Sequence, residues 1–263
     1  MNSTVEAVVS LVGGAKRIVV FTGAGISAES GIPTFRDPLT GIWARQDPEK
    51  LETANAFRED AALVWGWYLW RRAQVAQAVP NAAHQAIAQL TWTRDVTVIT
   101  QNIDDLHERA GAVDVIHLHG SLEQPKCFAC HRTPTAFSFE EPIASEDMRI
   151  EPPRCPRCRG KLRPGVVWFG EELPAVAWKK AVLATKNCDV LLSIGTSGVV
   201  FPAAEIPTMA LRAGAYVVHI NLVQVAQPSC RELCLVGRAT EIVPALVFLM
   251  RPSTGAQVER PVP

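Results

Sequence analysis

Residues 18–28 read Ile18-Val19-Val20-Phe21-Thr22-Gly23-Ala24-Gly25-Ile26-Ser27-Ala28, and this stretch decides the fold class. The apolar run predicts a buried strand, the glycines a tight turn, and the residues after them the start of a helix. We expect Gly23 to take a positive φ, Gly25 to let the backbone approach a pyrophosphate, and Ala28 to permit close helix–strand packing. A helix N-terminus attracts anions, so the stretch predicts a nucleotide site, although many glycine turns after strands are only turns.

The residues that follow the turn read Gly31-Ile32-Pro33-Thr34-Phe35-Arg36-Asp37. A helix does not continue through Pro33, because proline lacks the backbone donor and clashes with the preceding turn. We therefore predict a structured loop that leaves the nucleotide site and carries Phe35 and Arg36.

Composition limits the classes of function. The 263 residues, 48% of them hydrophobic, suffice for one large domain with an insertion or for two small ones. Lys+Arg and Asp+Glu are equal at 26 each, so no basic surface indicates nucleic acid or an anionic membrane as a partner. The apolar runs are too short to span a bilayer, and residues 1–17 lack the basic region of a signal peptide. We expect a cytoplasmic monomer.

Further strands of the predicted α/β pattern end on polar or glycine residues. The segment 96–100 is followed by Gln101-Asn102-Ile103-Asp104, 115–118 by His119-Gly120, 188–194 by Gly195-Thr196-Ser197, and 216–220 by Asn221. Open α/β sheets bind ligands at the carboxyl ends of their parallel strands, and two glycine loops suit a dinucleotide. A lone histidine is more often structural, but His119 stands at a strand end before a glycine, so we predict an acid/base role for it.

Four of the seven cysteines form two Cys-x-x-Cys pairs, Cys127/Cys130 and Cys155/Cys158. This spacing is typical of a tetrahedral four-thiolate zinc site, and the lack of an open position predicts a structural ion. We expect His131 to be a bystander and residues 137–150 to form a loop or short helix. The remaining Cys188, Cys230 and Cys234 are interpreted as buried thiols.

The segment 64–73 reads Val-Trp-Gly-Trp-Tyr-Leu-Trp-Arg-Arg-Ala and predicts a helix that is apolar nearly all round. Tyr68 and Arg71 are three residues apart and share one helical face. Taken by themselves they indicate a packed helix with a surface arginine. Farther along, Val166-Val167-Trp168-Phe169-Gly170-Glu171 predicts a strand that leads into a channel for an extended partner.

Taken together, these motifs resemble the sirtuin family of NAD-dependent protein-lysine deacylases over nearly the whole chain. The shared motifs, in the family's order, are Gly-Ala-Gly-Ile-Ser at 23–27, Gly-Ile-Pro-Thr-Phe-Arg at 31–36, Gln-Asn-Ile-Asp at 101–104, His-Gly at 119–120, both cysteine pairs, Trp-Phe-Gly-Glu at 168–171 and Gly-Thr-Ser at 195–197. The resemblance implies a Rossmann-type large domain (1–37, 81–120 and 166–250), a small domain of helical (38–80) and zinc-binding (121–165) insertions, and a flexible tail (251–263).

The resemblance also implies roles for individual residues. NAD would lie over the 23–31 loop, with Phe35 and Arg36 covering the reacting ribose. Asn102 and Asp104 would hold the nicotinamide and ribose, and His119 would take a proton from a ribose hydroxyl after the acyl oxygen attacks the ribose. The products would be lysine, nicotinamide and an O-acyl-ADP-ribose. The full expected NAD contact set is Gly23, Ala24, Gly25, Ser27, Ala28, Glu29, Phe35, Arg36, Gln101, Asn102, Ile103, Asp104, Gly195, Thr196, Ser197, Asn221 and Ala239.

Tyr68 and Arg71 resemble the pair that binds acidic acyl groups in one branch of this family. A guanidinium and a phenol hydroxyl can bind the carboxylate of succinyl- or malonyl-lysine, whereas an unpaired arginine in an apolar pocket disfavours acetyl-lysine. Arg72 is an alternative to Arg71. We expect the acyl-lysine peptide to lie along residues 166–171.

Other functions remain open at this point. A mono-ADP-ribosyltransferase or a plain deacetylase would use the same NAD site, and a non-catalytic zinc-bearing module is a further alternative. Hydride transfer is disfavoured, because the acidic residue that dehydrogenases carry about 20 positions after the glycine turn is replaced by the start of an insertion.

Overall fold

The computed structural model describes residues 3–34, 47–135, 149–225 and 229–250. Phe35, Arg36, most of the 137–150 segment and the predicted tail therefore lie outside the described residues. The helices are α1 (Ser3–Gly14), α2 (Gly25–Ala28), α3 (Pro48–Leu51), α4 (Ala54–Glu59), α5 (Ala61–Gln77), α6 (Ala82–Thr93), α7 (Leu106–Arg109), α8 (Ala175–Asn187), α9 (Ile206–Arg212) and α10 (Ala239–Leu249). The strands are β1 (Arg17–Thr22), β2 (Asp95–Thr100), β3 (Ile116–His117), β4 (Gly120–Cys127), β5 (Leu162–Val166), β6 (Val190–Ile194), β7 (Tyr216–Asn221) and β8 (Glu232–Val236).

Six strands form one parallel sheet in the order β3-β2-β1-β6-β7-β8. This is the order of a doubly wound nucleotide-binding sheet, interrupted in sequence by the separate antiparallel pair β4–β5. The predicted Rossmann-type sheet is confirmed. The strand order reverses between β1 and β6, so their carboxyl ends frame the crevice in which such sheets bind ligands.

Apolar side chains bury both faces of this sheet. On one face, β1, β2, β6 and β7 pack against residues of α1, α6 and α10; on the other, they pack against residues of α8 and α9. The central strands β1 and β6 are buried along nearly their whole length, as the continuous apolar runs of the sequence predict. The loops at the carboxyl ends of these strands are therefore supported by a closely packed core on both faces of the sheet.

A second, smaller core joins the helical segment to the strand pair. Residues of α3, α4 and α5 pack there against β4, β5 and the residues that follow β5. Trp168 and Trp67 are among the largest fully buried side chains of this region, each 1% exposed. The tryptophan-rich helix α5 is therefore apolar on most sides because it lies inside this core.

The glycine turn after β1 differs from its prediction in detail. Gly23 and Gly25 do not have a positive φ; Gly195 does, at 62°. A Cβ on Gly25 would lie 2.7 Å from the Cα of Gly195, so this glycine is required by the second glycine loop rather than by a pyrophosphate alone. The packing expected of Ala28 is wrong, because Ala28 is exposed and Ile26 and Ser27 of α2 are the buried residues.

Among the described helices, none has the length and apolarity needed to cross a bilayer. The interpretation of three thiols as buried holds for Cys188 but is wrong for Cys230, which is exposed, and Cys234 is only partly buried.

Candidate active site

The two glycine loops meet at the carboxyl ends of β1 and β6. The backbone N–H of Gly23 donates to the carbonyl of Ile194 at 3.1 Å, and that of Gly25 donates to the carbonyl of Gly195 at 3.0 Å. The first loop and the second are thereby held as one surface at the point where the strand order reverses, which is the expected position of a dinucleotide.

Ser27, Asn102 and Asp104 form a hydrogen-bonded group that we call the sheet-edge cluster. The Asn102 Nδ2 donates to Ser27 Oγ at 3.0 Å, and Ser27 Oγ donates to Asp104 Oδ2 at 3.0 Å. Asp104 Oδ1 accepts from the N–H of Leu106 at 3.2 Å. Burial raises the pKa of Asp104, and the hydrogen bonds from Leu106 and Ser27 oppose that rise. The cluster fixes the amide and carboxylate that sequence reasoning singled out.

His119 is oriented by the segment that follows β2. Its Nδ1 lies 2.9 Å from the carbonyl of Gln101, and because a carbonyl only accepts, Nδ1 carries the proton. In the neutral ring Nε2 then has the free lone pair that a base needs. Burial lowers the pKa of His119, although the bond to Gln101 opposes this, so the neutral form is favoured at neutral pH.

His117 has a different electrostatic environment from His119. Its Nδ1 lies 3.1 Å from the carbonyl of Asn102 and its Nε2 lies 2.7 Å from Glu108 Oε1. Burial disfavours the charged ring, but the hydrogen bond and charge of Glu108 outweigh it and raise the pKa of His117. Of the two histidines, His117 therefore favours its charged form, and His119 favours the neutral form that can act as a base.

The side chains expected at the adenosine half lie at the ends of β6, β7 and the start of α10. Thr196 bonds Ser193 through its hydroxyl at 2.9 Å, Ser197 is exposed, and Asn221 ends β7. Glu29 contacts this row at the start of α10. Its Oε2 accepts from Thr240 Oγ1 at 2.7 Å, beside the buried Ala239, and so ties the end of α2 to α10.

The segment after β5 lies against His119 on one side and against Glu52 on the other. The N–H of Val167 donates to the His119 carbonyl at 2.8 Å, and that of Phe169 donates to the Glu52 carbonyl at 3.0 Å. Val166 is buried, Phe169 is 46% exposed, and Gly170 has a φ of 82°. Sequence reasoning assigned this whole segment to substrate binding, and within it the structure exposes Phe169 and Gly170.

Trp168 and Glu171 have structural partners. The guanidinium of Arg163 lies 3.2 Å from the Trp168 ring centroid and pairs with the Glu171 carboxylate, which also accepts from the N–H of Trp168 at 3.0 Å. The indole N–H of Trp168 donates to Tyr68 Oη at 2.9 Å. Arg163 is 2% exposed and was missed from the sequence, because a single arginine on a short strand gives no sign of a buried partner.

Glu52, Tyr68 and Arg71 form a second buried polar group, which we call the helix-side cluster. Arg71 Nη1 lies 2.5 Å from Glu52 Oε1, and the two side chains are 17% and 7% exposed. The expectation of an unpaired Arg71 is therefore wrong, since Glu52 neutralises it. Arg72 lies on the same helix but pairs with Glu123 through Nε at 3.1 Å and Nη2 at 3.0 Å. Glu52 was also missed from the sequence, where it precedes the helix cap Thr53 without a motif.

The four predicted cysteine ligands come together at the end of β4, in the turn that follows it and in the turn before β5. The sulfur atoms of Cys127, Cys130, Cys155 and Cys158 all lie within 4.8 Å of one another. Two of these separations are 3.4 Å and 3.9 Å, close to the roughly 3.8 Å that Zn–S bonds of about 2.3 Å give in a tetrahedron.

The two cysteine pairs adopt matching turns. The N–H of His131 donates to the carbonyl of Cys127 at 3.0 Å, and that of Arg159 donates to the carbonyl of Cys155 at 2.9 Å. His131 and Arg159 both have a positive φ, at 58° and 63°. His131 thus shapes a turn and is not among the grouped ligands. The cluster fits one structural zinc ion.

Comparisons with known proteins agree with this arrangement. A model described as the Sir2 family matches residues 23–202. The chain is 61% identical over 230 residues to "NAD-dependent protein deacylase 4" of Pseudomonas syringae pathovar tomato, covering 87% of this chain and 90% of that protein.

Solved structures extend the likeness to bound ligands. A Sir2 homologue in complex with NAD superimposes with a TM-score of 0.83 at 41% identity, covering 93% of each chain. A Sir2 protein bound to a myristoylated histone peptide superimposes with a TM-score of 0.72 at 33% identity, covering 95% of this chain and 97% of that one. This chain is therefore similar, over most of its length, to proteins that bind NAD and to one that binds an acylated peptide.

Proposed function

Because the chain belongs to the Sir2 family, we propose that it is an NAD-dependent protein-lysine deacylase that favours succinyl- and malonyl-lysine over acetyl-lysine. The observation that supports the acyl preference is the helix-side cluster, in which a guanidinium and a phenol lie beside the segment 166–171 that bonds the carbonyl of His119. The deacylase activity itself is supported by the likeness to NAD-dependent protein deacylases.

NAD, when bound, supplies an electrophilic ribose carbon with nicotinamide as its leaving group. The residues of this chain hold and orient the reactants. We assign the anion-facing surface to the two glycine loops and the ribose and carboxamide contacts to Asn102 and Asp104, whose geometry Ser27 fixes. We assign the general base to Nε2 of His119, because the Gln101 carbonyl keeps the proton on Nδ1.

Tyr68 and Arg71 are the proposed anchors for an acidic acyl group. Arg71 is partly exposed, and Tyr68 Oη bonds the indole of Trp168, directly beside the residues that contact His119. A carboxylate at the end of a succinyl or malonyl chain would form charge-assisted bonds with the guanidinium, and an acetyl group has no atom to do so.

The test compares peptides that differ only in the acyl group. Tyr68→Phe and Arg71→Met should lower kcat/KM for succinyl-lysine by about 10- to 100-fold, because hydrogen bonds to a charged group contribute about 1.5–3 kcal/mol. Turnover of acetyl-lysine should change far less. Arg72→Met serves as the matched control, since Arg72 pairs with Glu123. If the wild-type protein hydrolyses acetyl-lysine as fast as succinyl-lysine, the proposed preference is wrong.

The product analysis also separates this function from ADP-ribosyl transfer. A deacylase should release nicotinamide and O-acyl-ADP-ribose in equal amounts, whereas a transferase would leave labelled ADP-ribose on a protein.

We further propose a cytoplasmic location, which the four reduced thiolates of a zinc site support, since reducing compartments preserve thiols. The monomeric state stays a prediction that light scattering would test.

A further inference from the structure

Glu52 already supplies a carboxylate to Arg71 in the helix-side cluster. Burial raises the pKa of Glu52, and the charge and hydrogen bond of Arg71, whose Nη1 lies 2.5 Å from Glu52 Oε1, oppose that rise. The guanidinium proposed to bind an acidic acyl chain thus already pairs with a carboxylate of the protein itself. The arrangement resembles the contacts that a succinyl group would make.

The backbone holds Glu52 in this position. It lies between α3 and α4, and its carbonyl accepts from the N–H of Phe169 at 3.0 Å. The next residue, Thr53, forms a parallel bridge with Phe169 and caps α4 by accepting from the N–H of Ala56 at 3.0 Å. The backbone around Glu52 is therefore attached to the segment 166–171 and to the start of α4, and this fixes where the carboxylate begins.

Charge balance decides what a second carboxylate would meet. Arg71 and Glu52 form a neutral pair in a site where Glu52 is only 5% exposed. Among the residues that the structure describes, Arg72 pairs with Glu123 and Arg163 pairs with Glu171. An acidic acyl group entering this site would share one guanidinium with Glu52 and add a second negative charge in a poorly solvated place, so it would bind more weakly than to an arginine without a carboxylate partner.

We propose that Glu52 is a specificity-determining residue that competes with acidic acyl groups for Arg71 and so limits the preference of this enzyme for succinyl- and malonyl-lysine. The inference rests on the proposed function, because it takes Arg71 as the anchor of the acyl carboxylate. Acetyl-lysine carries no charge and does not enter this competition. Glu52 thus tunes the ratio between the two substrate classes.

Glu52→Gln tests this directly, because glutamine keeps the size and an acceptor oxygen but removes the charge. With matched peptides and saturating NAD, kcat/KM for succinyl-lysine should rise about tenfold, mainly through a lower KM. The ratio of succinyl to acetyl turnover should rise by the same factor. Glu123→Gln is the control, since it releases Arg72 rather than Arg71, and it should leave the ratio within about twofold of wild type.

The outcomes separate this inference from the proposed function. If Arg71→Met lowers succinyl turnover but Glu52→Gln leaves the ratio unchanged, the competition is refuted and the anchor role of Arg71 stands. If Arg71→Met leaves succinyl turnover unchanged, both are refuted. Thermal unfolding checks that each variant is folded. Should Glu52→Gln not fold, Glu52→Asp withdraws the carboxylate by one methylene and should raise the ratio less than tenfold; no rise would refute the inference.

Discussion

The sheet-edge cluster and the helix-side cluster are both buried polar groups, but they are stabilised differently. Ser27, Asn102 and Asp104 hold one another through neutral or singly charged hydrogen bonds at the ends of rigid parallel strands. Glu52 and Arg71 are two opposite charges that compensate each other between helices and a loop. The first arrangement suits a fixed set of contacts to one cofactor, whereas the second can be altered by a competing charge. We propose that the first cluster, together with His119, serves the steps common to all acyl groups and that the second serves acyl selectivity.

The largest expected effect comes from removing zinc. The strand pair β4–β5 carries the cysteine cluster at one end and leads into Trp168, which bonds Tyr68, at the other. Structural zinc sites contribute about 10–16 kcal/mol to folding in zinc-finger peptides, so chelation should unfold this region. Hydrogen exchange should then lose protection at β4, β5 and α5 while β1 and β6 remain protected.

A cysteine variant provides the control for chelation. Cys130→Ser should reproduce the loss of protection, and Cys230→Ser, which changes an exposed thiol outside the cluster, should not. Protection of β4 and β5 that survives chelation would show that the two regions do not depend on the metal in the way we describe.

Replacing His119 should affect all acyl groups alike. His119→Asn removes the base, and general base catalysis contributes about 10²–10⁴-fold, so kcat should fall by that factor with both acetyl- and succinyl-lysine. Binding of NAD, measured by calorimetry, should persist. If kcat fell for one acyl group and not for the other, His119 would contribute to acyl selectivity and would not be the common base.

The pH dependence of the wild-type protein gives an independent measure of the same residue. Burial lowers the pKa of His119 below its ordinary value of 6.5, so the neutral, basic form persists to lower pH than in a free histidine. Activity should fall as the pH decreases through that lowered pKa. The acid limb of kcat/KM, measured between about pH 5 and 8, should therefore lie below 6.5 and disappear in His119→Asn.

The smallest effect concerns stability and compares the two clusters directly. Arg71→Met leaves Glu52 buried without its cation and should lower the free energy of unfolding by about 3 kcal/mol. Adding Glu52→Leu removes the stranded charge and should restore most of that loss, as urea denaturation would show. Ser27→Ala should cost about 1–3 kcal/mol, because it leaves Asn102 and Asp104 without their shared hydroxyl. If the Arg71 and Glu52 changes are simply additive, the two side chains are not coupled.

Local patterns in the sequence were sufficient for the sheet, the zinc ligands and the residues of the sheet-edge cluster. Apolar runs that end on glycine or on Gln101-Asn102-Ile103-Asp104 identify buried parallel strands and their carboxyl ends. The spacing of the two cysteine pairs identifies four ligands, because tetrahedral thiolate chemistry requires that arrangement. Each of these residues is identified by a pattern within its own short stretch, although Ser27 and Asn102 meet only in the folded chain.

Contacts between distant segments were decided only by the tertiary structure. Gly25 is required by the backbone of Gly195, which lies 170 residues later, and not by its own φ. Arg71 is compensated by Glu52, and Tyr68 is held by Trp168, although no periodicity or motif links these positions. A sequence pattern shows which side chains share a helix face, but the burial and pairing of a charge depend on which other segment packs against that face. For this protein, that packing places a carboxylate on the arginine predicted to be unpaired.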